Sequence, residues 1–257
     1  MKKQPNRKNK NPKTKNNQMP EQDESLISHL EALRTTLIKC FTALGICLFP
    51  MFFLSPYIMD ILIQIMLGEN KISLNYFSPM EVFILQIKIA LLLDICICFP
   101  YIAKKIWDFI LPALYEHERK FIKSIVLSSS LLFVCGVSFC IFFILPLIIN
   151  FGISFSTEKI QAVLGISNII SLGLGLSFIF GIMFQFPLVT YSLICSQIVS
   201  YESIQNKRPY IFVGILIIAA ILTPPDIVSQ IMLATPTYLL FEGALYAARK
   251  KIKKNLT

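Results

Sequence analysis

Only two histidines, His29 and His117, are available for acid–base chemistry in this chain, and neither has a nucleophile motif beside it. Without a Ser, Cys or Lys set against a base, covalent catalysis has no starting point. Paired carboxylates at one depth are missing too, so the inventory argues against an enzyme and names no catalytic residue. The seven cysteines, Cys40, Cys47, Cys96, Cys98, Cys135, Cys140 and Cys195, all lie in apolar segments without CxxC or Cys/His spacing. They read as small lipid- or core-facing side chains, and neither a metal nor a cofactor is expected.

What remains is a set of polar residues in costly places. Glu81 and Lys88 are seven residues apart in an apolar run, hence on one helix face and about 10 Å apart along the axis. They can share a polar interior strip or enter ion pairs between helices. Gln185 sits in Gly181-Ile-Met-Phe-Gln-Phe-Pro187, where its amide needs a partner on another helix, as packing contact or as docking site for a second protein. Asp94 lies nearer one end of its run and can snorkel or pair locally. Lys88, Glu81 and Gln185 together would also suit the midplane site of a small secondary transporter, the alternative function. Such transporters are built from inverted repeats, and the two halves here differ in span length and in the placement of polar residues.

The elements that must carry these residues follow from hydropathy. Of 257 residues, 55% are hydrophobic and 15% charged, and the mean hydropathy is +0.66, too apolar for a soluble domain of this length. The apolar runs approach the ~20 residues a helix needs to cross a bilayer and lack the short alternation of barrel strands. The expected fold is all-α, a polytopic membrane protein with six transmembrane helices. The spans are placed at about 37–59, 80–103, 125–149, 166–199, 209–222 and 229–248 within a membrane domain of 25–248. Residues 25–34, with Leu26, Leu30 and Leu33 at helical spacing, suggest an interfacial helix ahead of the first span. The fourth span is read as one tilted helix bent near Pro187. The fifth and sixth are short; the 14 residues of Pro209–Leu222 reach only roughly 20 Å, so the membrane must thin or water must enter beside them. Residues 1–24 are a basic tail too polar to fold, and 249–257 form a basic cytoplasmic tail.

Charge sets the orientation. Lys and Arg crowd the amino-terminal tail, the connection carrying Lys104, Lys105, Arg119, Lys120 and Lys123, the pair Lys207–Arg208 and the carboxy-terminal tail, whereas the alternate loops show only Lys71 and Lys159. Basic residues stay on the cytoplasmic side, so both termini are inside, and Tyr101, Trp107 and Tyr115 fit an aromatic belt on that side. The same topology accounts for the net charge of +9 without nucleic acid, for which there is no motif.

The most informative stretch is Trp107-Asp-Phe-Ile-Leu-Pro-Ala-Leu-Tyr-Glu-His-Glu-Arg-Lys120. It resembles the first cytoplasmic loop of the TatC family, with its W-x-F-x-x-P-A-L-Y-x-x-E-R pattern. His29-Leu-Glu-Ala-Leu-Arg34, Lys207-Arg-Pro-Tyr210 and Leu222-Thr-Pro-Pro-Asp226 agree with the family in order and spacing. The resemblance covers residues from about 25 to 248. It implies a core receptor subunit of the twin-arginine translocase, which binds twin-arginine signal peptides and recruits TatA- and TatB-like single-span partners. Such a subunit moves folded proteins across the membrane on the proton gradient. It further implies homo-oligomers within a complex in the lipid bilayer, most often the bacterial cytoplasmic (inner) membrane, with thylakoid and mitochondrial inner membranes as alternatives.

The resemblance places the signal-binding surface on Glu118, Arg119, Phe109, Arg34 and Leu30. Carboxylates suit it chemically, because two adjacent guanidinium groups are best held by bidentate acceptors. Two positions depart from the family. Ala32 stands where a glutamate is common, and Glu31 is one residue, or about 100° of helix, away. Gln185 replaces an embedded glutamate, keeping hydrogen bonding while losing titration. Asp226, Lys88 and Glu81 complete the polar or partner-docking candidates.

Overall fold

The computed structural model describes residues 21–67, 74–110, 119–154, 164–222 and 227–255. The expected amino-terminal tail, up to residue 20, lies outside them. Helix α1 runs unbroken from Glu21 to Leu67, so the interfacial segment and the first span are one rod. Nothing between Arg34 and Leu37 stops a helix there, and Pro50 and Pro56 lie within it. Helix α2, Pro79–Ile110, returns antiparallel, with Cys47 beside Cys98 and Phe52 beside Phe83.

Helix α3, Arg119–Phe139, passes through a π-helical turn, Cys140–Ile144, into α4, Leu145–Ser154. That turn ends two residues before Pro146, whose missing N–H interrupts the regular ladder. Two-residue strands β1, Leu74–Asn75, and β2, Leu164–Gly165, pair in parallel and tie the loops before α2 and α5 together.

The expected bent fourth span is two helices, α5, Ile166–Met183, and α6, Phe186–Cys195. Pro187 cannot donate to the Met183 carbonyl, so the chain breaks at Phe184–Gln185. Helix α6 stops at Cys195 rather than near Val199, because Gln197 turns left-handed at φ 57° and Ile198 N–H closes back on the Leu193 carbonyl at 3.1 Å, a helix-terminating geometry. A six-residue helix α7, Tyr201–Asn206, is capped by Ser200, whose hydroxyl accepts from Ser203 N–H.

Helix α8, Arg208–Leu222, has 15 residues, and α9, Ile227–Asn255, has 29 because its basic carboxy-terminal turns continue the helix. Among the described residues, five helical stretches are long and apolar enough to cross a membrane, and Arg208–Ile221 is a shorter sixth. The fold is all-α with six transmembrane helices.

The core is packed by large side chains meeting small ones. Phe99 of α2 stacks on Phe133 of α3, centroids 4.0 Å apart. A Cβ on Gly136 would fall 2.6 Å from the Phe180 carbonyl oxygen, and one on Gly181 would fall 2.6 Å from the Phe133 ring. Backbones of α3 and α5 therefore approach at a distance only glycine allows, as helices in lipid do where dispersion replaces the hydrophobic effect.

Candidate functional site

Polar residues gather at the end of the α1–α2 pair and recur singly along the spans. At that end α1 begins and α2 stops, the side that the basic residues assign to the cytoplasm. Leu30, Glu31 and Arg34 are all exposed there. Leu30 and Arg34 are four apart and share a helix face; Glu31 flanks that face. Phe109, one residue before the end of α2, is half-buried. Trp107 is not part of an outward belt: it is buried against Ala103, Ile125 and Leu188 and anchors α2 to α3 and α6. Tyr101 does face outward, with Lys105 Nζ 5.6 Å from its ring centroid, a cation–π pair. Glu118, the side chain of Arg119, and Asp226 lie outside the described residues.

Along the spans, the expected polar strip separates into three unconnected contacts. Glu81 caps α2: its Oε2 accepts Phe77 N–H at 3.1 Å, and Ser78 Oγ accepts Met80 N–H at 3.3 Å, a capping-box-like exchange around Pro79. Lys88 donates from Nζ to Ser171 Oγ of α5 at 2.8 Å. It edges an outward-facing groove of about 320 Å³ lined by Leu91, Leu92, Ile95, Leu174, Gly175 and Phe178. Gln185 clamps α5–α6 to α3. Its Oε1 accepts Ser129 O–H at 2.5 Å, and its Nε2 donates to the Ser129 carbonyl at 3.1 Å and toward the Gly181 carbonyl at 3.4 Å. Glu81, Lys88 and Gln185 thus face different partners and form no common midplane site.

Sequence reasoning passed over a further network. Arg208 Nη2 lies 3.3 Å from Glu242 Oε2, and Tyr238 O–H donates to Glu242 Oε1 at 3.0 Å. Gln230 Nε2 donates to the Leu216 carbonyl at 3.1 Å. The Arg208–Glu242 pair fastens α8 to α9 at the end that carries Lys207–Arg208, Tyr238 holds Glu242 from within α9, and Gln230–Leu216 joins the two helices nearer their other end. The signal was present: Glu242 is a carboxylate within the last apolar run, and such residues need a partner. Ser129 and Ser171 carried no signal, since a serine in a span back-bonds to its own helix as readily as it reaches across.

Long apolar helices, glycine-mediated crossings, hydrogen bonds such as Gln185–Ser129 that link spans, and a polar margin at one end define an integral multi-pass α-helical membrane protein. A model of the Sec-independent protein translocase protein (TatC) family matches residues 28–236. The chain belongs to the TatC family, a translocase component and not an enzyme. The Sec-independent protein translocase protein TatC of Escherichia coli K12 is 33% identical over 239 residues, covering 91% of this chain and 92% of its own. That of Azotobacter chroococcum is 32% identical over 235 residues, covering 89% and 91%. A crystal structure of the twin-arginine translocase receptor TatC superposes with a TM-score of 0.76 at 33% identity, over 86% of this chain and 99% of that one.

Proposed function

We propose that this chain is the signal-peptide receptor of a twin-arginine translocase in a bacterial cytoplasmic membrane. The observation that carries it is the exposed row Leu30, Glu31 and Arg34 in the amino-terminal part of α1, on the same side of the bundle as the carboxy-terminal end of α2, where Trp107 and Phe109 begin the family motif. Glu118 holds the arginine pair by charge-assisted hydrogen bonds, with Glu31 as the second carboxylate in place of the family glutamate that Ala32 lacks. Arg34 and Arg119 belong to the same polar surface, and Leu30 with Phe109 receives apolar residues beside the arginines. The hydrophobic part of the peptide then lies against the outer face of α1 and α2, where Phe41, Ile46, Phe49 and Ile97 are exposed.

TatA- and TatB-like single-span helices are recruited to the membrane-facing wall, where the 15-residue α8 thins the bilayer locally. Asp226, between α8 and α9 in the sequence, is a further polar contact for these partners. Gln185 is inward-bonded and cannot titrate, so protonation at this position is no step of the cycle. The proton gradient acts elsewhere in the assembled complex.

Photoreactive probes at Glu118 and Phe109, in membranes containing the full complex, test the reading. A twin-arginine precursor is expected to crosslink at both positions, and its Lys-Lys variant is expected to lose most of that labelling. Equal labelling by the Lys-Lys precursor would defeat the specific-receptor claim.

A further inference from the structure

We propose that Cys47, Asp94 and Cys98 form a binding site for a thiophilic divalent cation, Zn²⁺ by preference, that staples α1 to α2 inside the membrane. Sequence spacing hides it, because Cys47 is on one helix and Asp94 and Cys98 are one turn apart on the next. In the fold, the two sulfurs and a carboxylate oxygen of Asp94 all lie within 4.8 Å of one another. Cys98 Sγ is 3.4 Å from Asp94 Oδ1.

A second observation points to a ligand. Asp94 is 1% exposed, and its Oδ2 has no hydrogen-bond partner among the described residues. A thiol–carboxylate hydrogen bond alone leaves that oxygen unpaired in surroundings that offer no water to satisfy it. A cation at the centre of the triangle satisfies it. Zinc–sulfur bonds of about 2.3 Å and zinc–oxygen bonds of about 2.0–2.2 Å at tetrahedral angles hold ligand atoms roughly 3.5–3.8 Å apart. Side-chain rotation of about 1 Å closes the triangle to that spacing.

Two thiolates and one carboxylate select a soft, four-coordinating ion over Mg²⁺ or Ca²⁺, which prefer oxygen cages. The fourth position is left for water or a small anion. Binding breaks two S–H bonds and forms two metal–sulfur bonds. The thiol protons leave to solvent, a third follows if the carboxyl is protonated, and no redox change occurs. The site is independent of the signal-binding surface, so its failure would leave the receptor reading untouched.

The test is a Cd²⁺ and Zn²⁺ titration of the full chain, purified in detergent after reduction and chelation. Cd²⁺ is expected to bind at one equivalent with the ultraviolet sulfur-to-metal charge-transfer band of two thiolates, and Zn²⁺ is expected to displace it. Cys47→Ser and Cys98→Ser should abolish the band, Asp94→Asn should weaken affinity at least about tenfold, and Cys135→Ser should change nothing. Helix content and melting of each metal-free variant are measured alongside, so that loss of fold is not read as loss of a ligand. Bound Zn²⁺ should also protect Cys47 of the wild-type chain from maleimide labelling. Absence of uptake by the reduced wild-type chain, a band that survives in the Cys47→Ser/Cys98→Ser double variant, or unprotected Cys47 would each overturn the proposal.

Discussion

The crossing of α3 with α5 and the outer wall of α1 solve opposite problems with similar residues. Phe133 and Phe180 are fully buried against Gly181 and Gly136, whereas Phe41, Phe49 and Phe53 of α1 are each about 70% exposed. In the most apolar window of the span formed by α5 and α6, 44% of residues are buried within the protein; in that of α1, 6% are. Hydrophobicity therefore cannot separate the two regions, because lipid accepts a phenylalanine as readily as a core does. What separates them is the small residue opposite. The crossing is a fixed joint, reinforced by Gln185, and the α1 wall is a surface open to lipid or to a partner.

Breaking the joint should have the largest effect. Gly136→Val drives a branched side chain into the Phe180 backbone, which cannot rotate away, and is expected to cost about 3 kcal/mol or more. Loss of folded yield in detergent and a lowered melting temperature would show it; a melt within error of wild type would mean that the helices do not approach this closely. Gln185→Leu removes the hydrogen bonds to Ser129 while keeping the volume, and should cost about 1–2 kcal/mol, read from the unfolding midpoint in mixed micelles. Transport unimpaired by that variant would also remove any role for hydrogen bonding at this position. At the small end, Phe53→Ala on the α1 wall should change stability by less than about 0.5 kcal/mol. A larger loss would place a packed neighbour on a face that is open in the isolated chain.

The same contrast explains which parts of the molecule were legible in advance. Runs such as Met80–Ala103 announce a span by composition alone, and the basic connections announce its direction. Pro187 and Pro209 were readable as a bend and a helix start because proline acts on its own backbone. The continuity of α1 through residues 34–37 was not readable: a polar and an apolar segment look separable until one sees that no residue between them ends a helix. The Glu81–Lys88 strip failed for a related reason. Spacing puts both on one face, but a carboxylate three residues into a helix is captured by the local free N–H groups before it reaches a lysine two turns away.

By itself the sequence determined the solvent, the helical class, the span order and the family motifs, since each depends on residues close in the chain or on bulk transfer energy. Tertiary structure alone decided which polar side chains meet. Gln185 with Ser129, Lys88 with Ser171, Arg208 with Glu242, and Cys47 with Asp94 and Cys98 are pairings between different helices, set by rotation and depth. Glycines at the α3–α5 crossing fix the joint there, and the remaining helices come to rest where van der Waals contact permits, which no one-dimensional pattern encodes.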